Sequence, residues 1–319
     1  MRIMVWHVHG GWMNGFLRGT HEYLIPRSPD ETDSPVLPDN AHLISESQLH
    51  DEHIDLIVLQ RLEELDETQR LLGRIPGRDL PAVFVEHNTP QPHAVDQRHP
   101  LADQSRIPIV HVTHFNRLMW DNGDAPTHVI EHGIPDPGHL YTGEIPALGV
   151  VINEPVRRGR AMGTDLLPHF AEVGRLDAFG IDSQLLPAAL NLPPNRLRIV
   201  GNFGPTELHA ELARRRAYLH TTRWTSLGLS LLEAMSLGMP VLALATTEAH
   251  RAVPPDAGAI AADPEELCAA ARTLLDDPEE ARRRGTVARQ FARERYGLTR
   301  FLHEWNAVFV EVAGARVTV

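Results

Sequence analysis

The chain contains no lysine; all 30 of its Lys/Arg positions are arginine. No side-chain amine can therefore serve as a nucleophile, a Schiff-base partner or a compact phosphate ligand, and anion binding falls to arginine and backbone N–H groups. There is a single cysteine, Cys268, which excludes an internal disulfide and suits a reducing compartment, so the expected location is cytoplasmic. No stretch approaches the roughly 18 consecutive apolar residues of a spanning helix. The chain enters a strand directly at Arg2-Ile3-Met4-Val5-Trp6, without the organisation of a signal peptide. There is no HExxH zinc motif, internal repeat or low-complexity tract.

Acid outweighs base, with 42 Asp and Glu giving a net charge of −12 over 319 residues. The excess lies in the first half: residues 1–145 carry 10 Arg against 22 acids, and the remainder carries 20 against 20. An acidic first half argues against nucleic acid or an anionic bilayer as a partner. It suits a neutral or cationic acceptor, or serves solubility alone.

Strand-like and helix-like segments alternate along the chain. Residues 2–8 read as a strand and 14–23 as a helix; 27–39 is polar and proline-rich, hence a loop. A weaker strand near 41–45, a buried strand at 55–60, a charged helix at 62–72 and strands at 82–87, 107–113 and 127–130 complete a set of six strands. A second series runs through strands at 148–152, 176–179, 197–200, 217–220, 241–245 and 258–261, with helices at 165–173 and 206–215. Such alternation predicts doubly wound parallel sheets. Asp263-Pro264 and Asp277-Pro278 are helix starts, and the clusters 214–216 and 282–284 are expected to be helical arginines facing solvent. A last helix from near Thr299 places Phe301, Trp305, Val308, Phe309 and Val312 on one face. The predicted domains are 1–143 and 144–298, followed by the helix 299–319.

The segment 224–245 carries the clearest pattern. A small-residue turn leads into a short helix, Gly238 supplies a left-handed stop, Pro240 prevents continuation, and 241–245 is a continuous apolar strand. Ser230 and Glu233 have capping-box spacing. Backbone N–H groups at Gly228, Leu229 and Ser230 would open a helix at a sheet edge, which favours a phosphate or pyrophosphate. Three arginines in four residues, Arg157, Arg158 and Arg160, form either a solvated loop or the second wall of that anion site. Gly10 and Gly11 follow the first strand, where a backbone can approach a ligand closely or simply turn. His7 and His9 share a strand face, as a metal pair would, and a metal-dependent hydrolase is one reading of them. His87 ends a strand and could contact a sugar or be an ordinary strand-end histidine.

Gly228-Leu229, Leu232-Glu233-Ala234-Met235 and Gly238-Met239-Pro240-Val241 resemble the GLxxLEAMxxGxPV signature of retaining GT-B glycosyltransferases of the family-four type. The resemblance implies an α/β GT-B architecture, with two Rossmann-like doubly wound domains facing across a cleft. It further implies a nucleotide-diphosphate sugar donor as co-substrate, a small-molecule or saccharide acceptor, and no metal or other cofactor. On this resemblance Gly10, Gly11, Arg157, Arg158, Arg160, Gly228, Leu229 and Ser230 would hold the diphosphate. Glu233 would bind the ribose, Gly201 and Asn202 the base, and Thr225 and His9 the sugar, with His87 as the catalytic residue. The chain departs from the pattern at Thr225, where a glutamate is usual, and at Met162, where a lysine is usual. These departures motivate an alternative, a glycosyltransferase-like binding protein without turnover.

Overall fold

The computed structural model describes residues 1–27 and 35–314. Seven strands build the first sheet: β1 Arg2–Val5, β2 Glu22–Arg27, β3 Ala41–Ser45, β4 Leu56–Leu59, β5 Ala82–Glu86, β6 Ile109–His111 and β7 Thr127–Val129. Their order is β3-β2-β1-β4-β5-β6-β7, with every pairing parallel. The second sheet contains β8 Ile145–Val151, β9 Leu176–Phe179, β10 Leu197–Gly201, β11 Arg215–His220, β12 Val241–Leu244 and β13 Gly258–Ala261. Its order is β10-β9-β8-β11-β12-β13, again all parallel. The central strands are buried on both faces, so they read as unbroken apolar runs such as Leu56–Leu59.

The first sheet has one strand more than the six expected. The helix after β1 is Gly10–Phe16 where 14–23 was expected; residues 17–21 turn, and β2 begins at Glu22. Asn40 explains the turn: its amide donates to the carbonyls of Leu17, Gly19 and His21 at 3.2, 2.8 and 2.8 Å, closing the chain before Tyr23-Leu24-Ile25 pairs with β1. Most of the loop predicted at 27–39, residues 28–34, lies outside the described residues.

Two compact units result: Met1–Pro135 together with the final helix Leu298–Gly314, and Asp136–Gly297. Residues 136–143, assigned from sequence to the first domain, are tied to the second by Tyr141 N–H to Leu237 O and Thr142 N–H to Ala213 O, at 3.1 and 3.0 Å. In the first unit the final helix buries Phe301, Trp305, Val308 and Phe309. Trp305 meets Trp12 and Phe16 edge-on at 5.8 and 5.2 Å between centroids, a favoured aromatic geometry. Gly133 permits the approach, since a β carbon there would lie 2.4 Å from Phe301 Cβ.

The arginine clusters behave differently from expectation. Asp263 and Asp277 do cap their helices, accepting from Glu265 N–H and from the N–H groups of Glu279 and Glu280, each at 3.0 Å. Arg282 and Arg283 are exposed. Arg215 and Arg216, by contrast, begin β11 and are buried. Arg215 is 1% exposed and pairs with Asp177 on β9 and with Glu211, both at 2.9 Å. Gly149, on the strand between β9 and β11, leaves the space for Leu212, whose Cδ1 would lie 2.6 Å from a β carbon there.

Candidate functional site

In a doubly wound sheet, ligands bind beyond the carboxyl ends of the strands where the strand order reverses. That point lies between β8 and β11 in the second unit and between β1 and β4 in the first.

Beyond β8 the chain forms the short turn Pro155–Arg158, a 3₁₀ turn Gly159–Met162 and then Gly163. Gly163 has φ +71°, and a β carbon there would lie 1.9 Å from Thr221 O, so glycine is required twice over. Thr221 Oγ1 donates to Met162 O at 2.9 Å, and the N–H groups of Arg223 and Trp224 donate to Ala161 O at 2.8 and 3.1 Å. The arginine loop is therefore fastened to the segment leading from β11 into the helix Leu229–Leu237.

The three arginines of that loop are not equivalent. Arg157 forms a bidentate pair with Glu154, and Arg160 pairs with Asp165 at 2.7 Å. Asp165 also receives Arg223. Arg158 is half-buried and has no carboxylate partner among the described residues. Burial, followed by the adjacent Arg157 cation, lowers its pKa. It is the cation of the loop that an anionic ligand would relieve most.

The capping box expected of Ser230 and Glu233 does not form. Gly228 is the N-cap, so Ser230 lies inside the first turn, and its hydroxyl accepts from Tyr218 O–H at 2.9 Å. Glu233 makes no hydrogen bond among the described residues; it pairs with His209 Nε2 at 3.7 Å. Thr225 is half-buried in the loop before this helix. Gly201 ends the edge strand β10 and Asn202 follows it, three strand spacings from β11, or about 14 Å.

In the first unit, His9 is the N-cap of the helix Gly10–Phe16, and Gly10 and Gly11 are exposed in its first turn. The His9 ring lies against His87 with centroids 4.1 Å apart, and Trp12 meets His87 edge-on at 5.0 Å. Gln60, which follows β4, donates its amide to Trp6 O at 2.7 Å, so its Oε1 faces His87 Nε2 at 3.0 Å as an acceptor. That network assigns the His87 proton to Nε2 and leaves Nδ1 as an acceptor. The free nitrogen of His87 is therefore a hydrogen-bond acceptor. Burial, reinforced by His9 and His132, holds its pKa well below the usual histidine range. Among the described residues no group of three or more His, Cys, Asp or Glu side chains could hold a metal, so His7 and His9 gain no third ligand.

A pocket of about 450 Å³ also lies in this unit, lined in part by Arg61, Glu86, Gln91, His99 and Trp120. His99 Nδ1 accepts from Leu101 N–H at 3.0 Å, so its Nε2–H faces Glu86 Oε2 at 3.2 Å. Asn88 N–H donates to Glu86 Oε1 at 2.6 Å, and Trp120 Nε1–H donates to Asn88 O at 2.9 Å. Sequence reading missed this group because its members lie 34 residues apart at the extremes, Glu86 to Trp120. The only local signal was Glu86 beside His87.

Burial also lowers the pKa of His111 and of His220 to about 4 in each case. Both folded-state values lie below the unfolded value near 6.5, so the unfolded chain binds more protons between about pH 4 and 6.5. Stability is expected to be full above this window and to fall as pH drops through it. Melting temperatures at pH 7.5 and pH 5 check this, and equal values would contradict it.

The architecture now has two all-parallel doubly wound sheets of seven and six strands, in two units joined twice by the chain. Over 99% of this chain and 100% of the other, it superimposes on sucrose-phosphate synthase from Thermosynechococcus elongatus with TM-score 0.75 at 15% identity. The fold is GT-B. HepE of Anabaena in complex with UDP-glucose is similar over 98% of this chain and 100% of its own, with TM-score 0.71 and 16% identity. The O-GlcNAc transferase of Thermobaculum terrenum is similar over 98% of this chain and 67% of its own, with TM-score 0.66 and 15% identity. At such identities the likeness establishes the GT-B fold alone. Residues 184–291 match the family described as Glycosyl transferases group 1, which includes the helix Leu229–Leu237 and its approach from β11. Among curated proteins, no sequence matches the chain. Among the described residues, no helix of the GT-B fold is long and apolar enough to cross a membrane.

Proposed function

We propose that the protein is a retaining glycosyltransferase of the family-four type, moving a sugar from a nucleoside-diphosphate donor to a hydroxyl of a small-molecule or saccharide acceptor. The observation that carries this is the arginine loop fastened, through Ala161 and Gly163, to the segment that opens the helix Leu229–Leu237. A guanidinium and a row of free N–H groups at one sheet edge are what a diphosphate requires. The group 1 match over 184–291 supports the same reading.

In this reading Arg158 is the principal diphosphate ligand, with Gly228, Leu229 and Ser230 N–H groups opposite and Arg157 and Arg160 beside it. Glu233, which makes no hydrogen bond among the described residues, takes the ribose hydroxyls, and the backbone of Gly201 and Asn202 takes the base. Thr225, His9, Gly10 and Gly11 meet the sugar and its phosphates, and neutral His87 accepts from a sugar hydroxyl. As the glycosidic bond breaks, charge develops on the departing diphosphate, and preoriented donors stabilise it. No protein-bound metal or other cofactor enters this scheme. The acceptor is assigned to the first unit, and the lone buried Cys268 supports a cytoplasmic setting.

A thermal-shift panel of UDP, GDP, ADP and TDP with their sugar conjugates tests the proposal. UDP comes first because HepE was captured with UDP-glucose. One nucleotide is expected to raise the melting temperature, and its sugar conjugate to be turned over with the anomeric configuration kept. No shift with any nucleotide would discard the proposal. A shift without transfer or donor hydrolysis would favour the binding-protein alternative.

A further inference from the structure

His220, the last residue of β11, has no role in the scheme above. It is only 6% exposed, yet its ring forms no hydrogen bond among the described residues. Its ring nitrogens are not among the fully enclosed polar atoms that lack a partner, so they remain within reach of a ligand from outside. Its position suggests what the partner is. The ring stacks beside Tyr218, with centroids 6.1 Å apart, on the side of β11 that faces the helix Leu229–Leu237 through the Tyr218–Ser230 bond. It lies against the N-cap itself: a β carbon on Gly228 would be 2.7 Å from His220 Cε1 and 3.4 Å from its Nε2. Gly228 has φ −70°, so glycine is needed there for the room that the imidazole occupies and not for its backbone conformation.

The helix end that His220 addresses is otherwise unserved. Among the described residues no side chain caps it, and no acid stands in its first turn. Its first internal bond is Leu231 N–H to Gly228 O, so the earlier N–H groups are left for a ligand. A nine-residue helix presents these donors with the positive end of its dipole.

We propose that His220 is a phosphate-binding residue, donating its ring N–H to a phosphoryl oxygen of a nucleoside diphosphate held at the first turn of the helix Leu229–Leu237. This rests on the donor reading of the preceding subsection. Burial keeps the ring neutral above about pH 4, so it serves as a hydrogen-bond donor without adding charge. In a chain without lysine, it supplies a side-chain donor to the anion from the β11 side, as Arg158 does from the β8 side.

Calorimetric titration of the full chain decides the matter, using the nucleoside diphosphate that gives the largest thermal shift and its parent nucleoside. His220→Leu is expected to weaken the diphosphate about tenfold and leave the nucleoside within about twofold. His220→Gln, which restores a side-chain N–H, is expected to recover most of the loss. Unchanged diphosphate affinity in His220→Leu would overturn the proposal, as would equal weakening of diphosphate and nucleoside. Should His220→Leu fail to fold, ¹⁵N spectra of wild-type histidine, assigned by comparison with His220→Gln, replace it. The His220 nitrogens must then shift with the diphosphate and not with the nucleoside; unmoved signals would overturn the proposal. If the wild-type protein binds no nucleotide, the donor reading itself fails, a result distinct from all of these.

Discussion

Arg158→Ala is expected to lower kcat/KM for the nucleotide-sugar donor by about 100-fold, in keeping with the loss of a charge-assisted contact to a developing anion. Arg157→Ala and Arg160→Ala are expected to lower it by less than about fivefold each. The contrast rests on the partners each side chain already has. Arg157 and Arg160 are 70% and 77% exposed and are neutralised by Glu154 and Asp165. Their pairing would have to break before either could clamp a ligand. Arg158 is half-buried, depressed in pKa by burial and by Arg157, and lacks a carboxylate partner among the described residues. Binding an anion removes the desolvation penalty that the free protein carries there. Steady-state kinetics on the three variants, with the donor chosen by the thermal-shift panel, give the answer. A larger loss in Arg157→Ala than in Arg158→Ala would show that the Glu154 pair opens in the complex and that the assignment is reversed.

The second large effect concerns stability. Asp177→Ala is expected to destabilise the second unit by about 3–4 kcal/mol, because it leaves Arg215 buried without its deepest partner. Asp177 is 0% exposed and receives both Arg215 Nε at 2.9 Å and Arg175 Nε at 2.8 Å. After its removal Arg215 keeps Glu211 and the face of Phe179, 4.9 Å from its guanidinium carbon. For a unit of this size the loss corresponds to a fall in Tm on the order of 10 °C. The double variant Asp177→Ala, Arg215→Met should recover most of it, since removing both charges abolishes the penalty of the unpaired one. Denaturant unfolding of the single and double variants checks both statements. A loss under about 1 kcal/mol in the single variant would mean that water or Glu211 satisfies the arginine unaided.

These two cases mark how far the sequence was legible. All six strands of the second unit were readable, because Val241–Leu244 and its neighbours are continuous apolar runs between turn residues. The proline-started helices were readable because their Asp caps are local. β2 was not, because its strand character depends on pairing with β1 and on Asn40 closing the turn before it. Arg215 was misread for a similar reason: its fully buried partner Asp177 stands on β9, 38 residues away in the chain.

The candidate site divides in the same way. Sequence alone determined the residue types available for anion binding: no lysine, an arginine loop at 157–160 and a helix start at Gly228–Ser230. It also determined the alternation that produces doubly wound sheets, since burial on one or two faces is written in local periodicity. Tertiary structure alone decided which arginine is unpaired, that Ser230 faces Tyr218 instead of capping, that Gln60 sets the His87 tautomer, and that His220 lies against Gly228. Those outcomes depend on pairings between strands and loops far apart in the chain, and hydrogen bonds and ion pairs act only across the few ångströms that folding creates.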